Sequence, residues 1–402
     1  MATIAVLGTL DTKGVEHAFL AEQIRSHGHQ PLLIDVGMMG AQGVTADIDH
    51  LQVAAAGDFD FDSMLSRRDR GECVTAMAAA APLILQQLLA EGRIDGVISL
   101  GGGGGTAIAT AAMRALPIGF PKLMVSTLAS GNTEHYVGTK DIVMMPSIVD
   151  VAGLNRISKT VFCRAAGAIC GMVDSEIPQQ GERPIVVASM FGNTTDCVNA
   201  AIPLLEEAGY EVLVFHSTGS GGRSMESLID SGMVAGVLDI TTTEWADELV
   251  GGTLSAGSTR LDATAQQQVP SIVVPGCLDM VNFGAPETVP ERFADRNFYH
   301  HNPQVTLMRT NVEENAELGR IFAEKVNAYQ APTTVLLPLR AISVISAAGQ
   351  AFHNPLADTV LFDAIKENLR ADIEVQSLDL EINDPAFATA CAEALLRNQS
   401  TA

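Results

Sequence analysis

Residues 94–110 read IDGVISLGGGGGTAIAT: an apolar run, five consecutive glycines, then an alanine-rich stretch with helical spacing. An apolar run of this length that stops at glycine reads as a strand buried on both faces, and the stretch after it as a helix. Strand, loop and helix in that order are the building block of a parallel sheet covered by helices. The junction is also where backbone N–H groups at a helix start can hold a phosphate. Glycine lets a ligand approach the backbone and lets the chain take positive φ. Two readings of the glycine run stay open: a phosphate cradle, or a purely structural tight turn.

The same alternation extends outward from this stretch. Strand signals lie at Thr3–Gly8, 31–36, 94–100 and Lys122–Ser126, and helical signals at 15–27, 71–91 and 106–115. A second set follows, with strands at 185–189, 211–215, 234–240 and 271–275 and helices at 197–208 and 225–231. A terminal unit adds strands at 334–337 and 373–378 and helices at 362–368 and 385–396. IAVLGTLDTKG (4–14) matches IVVASMFGNTTD (185–196), IDGVISL (94–100) matches VAGVLDI (234–240), and PKLMVST (121–127) matches PSIVVPG (270–276). The expectation is an α/β chain of two Rossmann-like lobes with mainly parallel sheets, an internal duplication, and a cleft between the lobes. Any doubly wound fold also repeats itself in this way. The polar Pro/Gly stretch 176–183 marks the boundary, giving a nucleotide-binding lobe over 1–180 and a C-terminal lobe over 181–402.

The chain has 402 residues, 47% of them hydrophobic, enough to bury two cores. Its 24 basic against 47 acidic residues give a net charge of −23, which argues against a nucleic-acid partner. It leaves room for a small anion in a local pocket. Six scattered cysteines show neither a C-x-x-C pair nor zinc-ligand spacing. The N-terminus reads as strand, turn and helix with no basic leader, and no run reaches the roughly 18 apolar residues of a membrane span. Gln86 and Gln87 interrupt the longest one. A cytoplasmic protein with no membrane partner is expected.

The chemistry-bearing residues sit at strand ends. Gly101, Gly102, Gly103, Gly104 and Gly105 precede Thr106, which would cap the helix or bond a phosphate oxygen. No G-K-[ST] follows, so this is not a Walker A loop. It looks instead like the G-G-D-G-T loops of some kinases that bind nucleotide diphosphates. In the first turn, Lys13 would meet a phosphate and Asp11 would hold Mg²⁺ or a ribose hydroxyl. The alternative makes Asp11 or Thr12 a helix cap and leaves Lys13 solvated. Ser130, Gly131 and Asn132 suit phosphate contacts or plain turn chemistry. Asp150 and Asn155 are ligand contacts or caps. In the second half, Asn193, Thr194, Gly219, Gly221, Gly222 and Arg223 suggest another anion site. Cys277 reads as a nucleophile or a buried thiol, His301 as an acid, base or phosphate contact, and Arg340 as a cleft residue or a surface ion pair.

Nine motifs recur in order: GTLDTKG (8–14), SLGGGGGT (99–106), STLASGN (126–132), SIVDVAGLN (147–155), FGNTT (191–195), PGCLDMVNF (275–283), HNPQVTLMRT (301–310), PLRAIS (338–343) and INDPAFA (382–388). Together they resemble the family of bacterial and fungal proteins that share the ATP-binding domain of the tomato mosaic virus resistance protein, a replication inhibitor. The resemblance covers essentially the whole chain. It implies two Rossmann-like lobes, ATP with Mg²⁺ on the first, and a homodimer. Gly101 to Thr106, Asp11 to Lys13 and Ser130 to Asn132 carry over as nucleotide contacts. Plant and fungal relatives continue into a barrel domain, so the resemblance also implies a stand-alone form with a separate barrel-domain partner. The pattern leads one to expect a glycine after Arg340, where this chain has Ala341.

Three functions follow as expectations. The first is a Mg·ATP-binding protein that performs ATP-dependent transfer or ligation on a small carboxylate or carbonyl substrate. The second is a non-catalytic, nucleotide-gated interaction module. The third is a sugar- or organic-acid-binding protein that uses no nucleotide.

Overall fold

The computed structural model describes residues 1–57, 59–67, 69–177, 181 and 183–401. The chain divides into two compact units, Met1–Pro178 and Gln179–Ala402. Of the expected linker, residues 178–180 and 182 lie outside the described residues, so the 180/181 boundary falls there too.

The first unit runs β1 (Thr3–Gly8), α1 (Leu10–Ser26), β2 (Gln30–Asp35), α2 (His50–Ala56), α3 (Phe61–Arg67), α4 (Arg70–Ala90), β3 (Gly96–Gly101), α5 (Gly103–Arg114), β4 (Lys122–Ser126), α6 (Glu134–Val137), β5 (Val143–Pro146) and α7 (Arg156–Asp174). Its five strands are all parallel, in the order β2-β1-β3-β4-β5. The two-residue period of β1 sorts the core into two layers. Ala5 and Leu7 pack with α4 and α5 residues such as Met77, Leu85, Ile108 and Met113. Ile4 and Val6 pack with α1 and α7 residues such as Leu20, Ile24, Phe162 and Ile169. α4 has the length and composition to cross a membrane, and Gln86 and Gln87 do not interrupt it, contrary to expectation. Its Ala80, Ala81, Leu85 and Leu88 are buried in this core.

The second unit runs β6 (Ile185–Met190), α8 (Thr195–Glu207), β7 (Glu211–His216), α9 (Ser220–Asp230), β8 (Val234–Thr241), α10 (Glu244–Val250), α11 (Asp262–Gln267), β9 (Ser271–Gly276), β10 (Met280–Phe283), β11 (Phe298–Asn302), β12 (Val305–Arg309), α12 (Val312–Asn327), β13 (Thr333–Pro338), α13 (Pro355–Asn368), β14 (Glu374–Leu378) and α14 (Pro385–Ser400). Six parallel strands lie in the order β14-β13-β9-β8-β6-β7. A small antiparallel sheet, β10-β12-β11, is added. Each unit is thus a Rossmann-like sheet flanked by helices. Their first strands share one order, with the second strand outside the first and the third inside it.

In the first sheet the connection after β1 runs to β2 on one side, and the connection after β3 runs to β4 on the other. Such a reversal opens a crevice beyond the carboxyl ends of the two middle strands, where open α/β sheets bind ligands. Leu7 pairs with Ser99, so the turn after Gly8 and the glycine run leave the sheet side by side.

Candidate functional site at the glycine helix

A cavity of about 510 Å³ lies at this crevice. Thr9, Asp11, Thr12 and Lys13 line it from the first turn, and Gly102, Gly103, Gly104 and Gly105 from the start of α5. Gly37, Met38 and Met39 come from the loop after β2, and Arg70, Cys73, Val74 and Met77 from α4. The structure therefore brings together most of the nucleotide contacts named from the first turn and the glycine run. Gly101 and Thr106 do not line it. Neither do Ser130, Gly131 and Asn132, which form an exposed turn where Asn132 Oδ1 accepts the Glu134 amide at 3.0 Å. The nearest approach from that loop is Thr127, whose Oγ1 is 3.7 Å from where a Cβ on Gly102 would stand.

The glycines form the helix itself. α5 starts at Gly103 with Gly102 as its N-cap, three residues before the expected start at Thr106. Thr106 is a correction: it is fully buried, with Oγ1 2.7 Å from Ser126 Oγ, and it neither caps α5 nor reaches the cavity. No side chain caps α5, so the amides of Gly103, Gly104 and Gly105 are the unpaired donors of its first turn. None of the five glycines has positive φ, which corrects that part of the expectation. Only Gly101 is crowded: a Cβ there would lie 3.2 Å from the Gly105 backbone. At Gly103 a Cβ would meet no protein atom within 4 Å, and at Gly104 and Gly105 the nearest would be at 3.8 and 3.9 Å. Glycine costs a helix about 1 kcal/mol per residue relative to alanine. Neither backbone conformation nor protein packing calls for it at these three positions.

The first turn is built around carboxylates that hold backbone. Asp11 Oδ2 accepts the amides of Met38 at 2.9 Å and Met39 at 3.3 Å, fixing the loop after β2 as a wall of the cavity. Asp11 also explains Gly37, where a Cβ would lie 2.6 Å from its carboxylate. Asp35 Oδ1 accepts Leu10 N at 3.0 Å and Gly37 N at 2.8 Å, and burial raises its pKa. Lys13 departs from helical geometry (φ −131°, ψ 26°), and its Nζ donates to the Val151 carbonyl. Its expected partner was a phosphate. Thr12 Oγ1 donates to the Thr9 carbonyl at 3.3 Å. Below the turn, His17 is buried under Gly8, and burial lowers its pKa. Arg70 and the methionine wall are cavity residues that motif reading missed. Arg70 stands in no motif, and only the α4–α5 packing reveals it. Asn155 is a cap: its Oδ1 accepts Ile157 N and Ser158 N at 2.9 Å.

The second unit fills its own glycine turn. Glu244 Oε1 accepts the amides of Gly219 at 2.7 Å and Gly222 at 3.1 Å, where an anionic ligand was expected. Glu244 is in turn bonded by buried Arg260, whose guanidinium also holds Asp239 and Glu226. Cβ atoms at Gly222 and Gly221 would lie 2.1 Å from Glu244 Oε2 and 1.8 Å from the His216 carbonyl, so these glycines serve packing. Thr194 is buried on Thr241, and Asn193 donates to Met280 Sδ at 3.8 Å. Cys277 has φ +59° and is wholly buried, and burial drives its thiol pKa well up, which opposes nucleophilic use. Arg340 is exposed and forms a two-pronged pair with Asp379 at 3.0 and 2.9 Å. Ala341 has no positive φ and needs no glycine. His301 is exposed on β11; its neighbour His300 lines a separate cavity of about 170 Å³. The weak catalytic candidates of this unit form no common site among the described residues.

Models of the N-terminal and C-terminal domains of the uncharacterised protein family UPF0261 match residues 2–178 and 183–398. The chain belongs to the UPF0261 family. A UPF0261 protein of Clostridium tetani (strain Massachusetts / E88) is 48% identical over 395 residues, 98% of each chain. The ToMV resistance protein Tm-1(GCR237) of Solanum lycopersicum is 40% identical over 413 residues, covering 97% of this chain and 55% of the tomato protein. Among solved structures, a thioesterase domain from the curacin biosynthetic pathway is similar at TM-score 0.26 and 13% identity, over 54% of this chain and 91% of that one.

Proposed function

We propose that the first lobe of this UPF0261 protein binds a magnesium-complexed nucleotide, ATP foremost, with a phosphate on the amides of Gly103, Gly104 and Gly105. The observation that carries this reading is the room beside those glycines. Three consecutive poor helix formers open a helix where no protein atom needs the space, and their unpaired amides line a cavity. A ligand that must touch backbone accounts for both facts. The apolar wall of Val36, Met38, Met39 and Met77 suits a base ring. Among the described residues Asp11 is the one carboxylate lining the cavity, and no cluster of three or more metal-ligating residues exists. Mg²⁺ held by one carboxylate, phosphates and water fits that set.

A non-catalytic, nucleotide-gated role is favoured over transfer or ligation by the state of the cavity's side chains. Asp11 is engaged by two amides and Lys13 by a carbonyl, and burial pushes the Cys73 thiol pKa up. None is poised as a base or nucleophile. Calorimetric titration with ATP, ADP and AMP, with and without Mg²⁺, tests the reading, together with phosphate release from the ATP complex. Saturable binding that weakens from ATP to AMP, with little turnover, supports it. Binding of none of the three refutes it, and rapid phosphate release refutes the gating role.

A further inference from the structure

We infer that Arg70 is a second phosphate anchor of the first lobe, the cation that lets the glycine helix hold a polyphosphate and not merely one phosphate group. This rests on the nucleotide reading above and adds to it a residue that no motif supplies.

α4 and α5 both begin at the carboxyl edge of the sheet, and they pack on each other through Val74, whose Cγ2 is 3.8 Å from where a Cβ on Gly104 would stand. Arg70 is four residues before Val74, hence one turn up the same face of α4, and it lines the same cavity. Helix-start amides in one turn suit one phosphate group. Each further phosphate needs its own counter-charge, and this chain's net charge of −23 supplies a field of the wrong sign. Among the described residues, two cationic side chains line the cavity, Lys13 and Arg70. Lys13 is tied to the Val151 carbonyl. Arg70 has no hydrogen-bond or ion-pair partner among the described residues, although acidic residues outnumber basic ones about two to one. Its neighbour Arg67 shows the ordinary outcome, a salt bridge to Glu72. A planar guanidinium left unpaired at the rim of an amide-lined cavity is suited to two-pronged phosphate contact.

The test titrates the full chain with ATP, ADP, AMP, tripolyphosphate and orthophosphate, using wild type, Arg70→Gln and Arg67→Gln, after melting curves establish that all three fold alike. Arg67→Gln makes the same charge change three residues away and controls for the general field. The expected result is a tenfold or greater loss of ATP, ADP and tripolyphosphate affinity in Arg70→Gln, with AMP and orthophosphate changed less than about threefold, as for one lost charge-assisted hydrogen bond. The salt dependence of ATP binding should also become shallower. The inference is overturned if Arg70→Gln binds ATP like wild type, if it weakens ATP no more than Arg67→Gln does, or if ATP and AMP weaken equally. Loss of ATP affinity without loss of tripolyphosphate affinity also overturns it, because the contact would then be to the nucleoside. If wild type binds none of these ligands, the nucleotide reading itself falls, which is a different result from the others.

Discussion

Gly103→Ala should make the protein more stable and a worse nucleotide binder. A Cβ at Gly103 meets no protein atom within 4 Å, and its φ is not positive. Alanine therefore enters without strain, and the restricted unfolded chain raises stability by about 0.4–1 kcal/mol. For a unit of this size that is a rise in Tm of roughly 1–4 °C. In the bound state the same methyl group stands in the cavity beside the amide. Losing one charge-assisted hydrogen bond costs about 1.5–3 kcal/mol, ten- to more than a hundredfold in Kd. Gly103→Val should lower affinity further and still fold. Gly222→Ala is the contrast, because its Cβ would lie 2.1 Å from Glu244 Oε2. It should lose about 1–3 kcal/mol through overpacking. Differential scanning calorimetry paired with ATP titration reads both effects. A drop in Tm for Gly103→Ala would show that packing demands the glycine after all. Unchanged ATP affinity would refute the cradle.

Arg260→Met should destabilise the second unit by about 3–5 kcal/mol, because it strands Asp239, Glu244 and Glu226 beside one another in the interior; a denaturation midpoint near that of wild type would contradict the role given to this network. Burial raises the pKa of Asp247 from 3.8 to about 7 and that of Asp279 to about 6. The folded state thus binds these protons more tightly than the unfolded one, so their contribution is complete below about pH 4 and is lost as pH rises toward 7. For Asp247 that is on the order of 4 kcal/mol. Urea unfolding of Asp247→Asn from pH 4 to 8 should show a flatter profile than wild type; an equal slope would refute the assignment.

The fold was legible where pattern and propensity agree. Most strand runs of the parallel sheets are apolar, and Thr3–Gly8 and Lys122–Ser126 fall where the sequence places them, whereas the short, half-exposed β5 was not foreseen. Helix starts were less legible: α1 and α13 begin five and seven residues before their sequence signals. α5 and α9 begin three and five residues before their sequence signals, because glycine's poor propensity hides a first turn that Glu244 caps in α9. The antiparallel sheet escaped notice because FYHHN and VTLMR are short, and β11 is mostly exposed. α12 carries an overlooked signal, the capping box of Asn311 and Glu314. At the site, strand-end position identified the first turn and Gly102 to Gly105. It could not distinguish the open glycines from those in the second unit, since what fills the space beside Gly222 is a carboxylate 22 residues away in sequence. Arg70 was beyond sequence reasoning for the same reason: helix packing, not spacing, brings it to the cavity.

Amide hydrogen exchange of the full chain, with and without saturating Mg·ATP, tests the central claim most directly. The account predicts slowed exchange in peptides that contain Gly103 to Gly105 and in those spanning Thr9 to Lys13 and Gly37 to Met39. Peptides with Gly219 to Gly222, whose amides already bond Glu244, should be unchanged. Saturable ATP binding that leaves the exchange of Gly103 to Gly105 unaltered would contradict it.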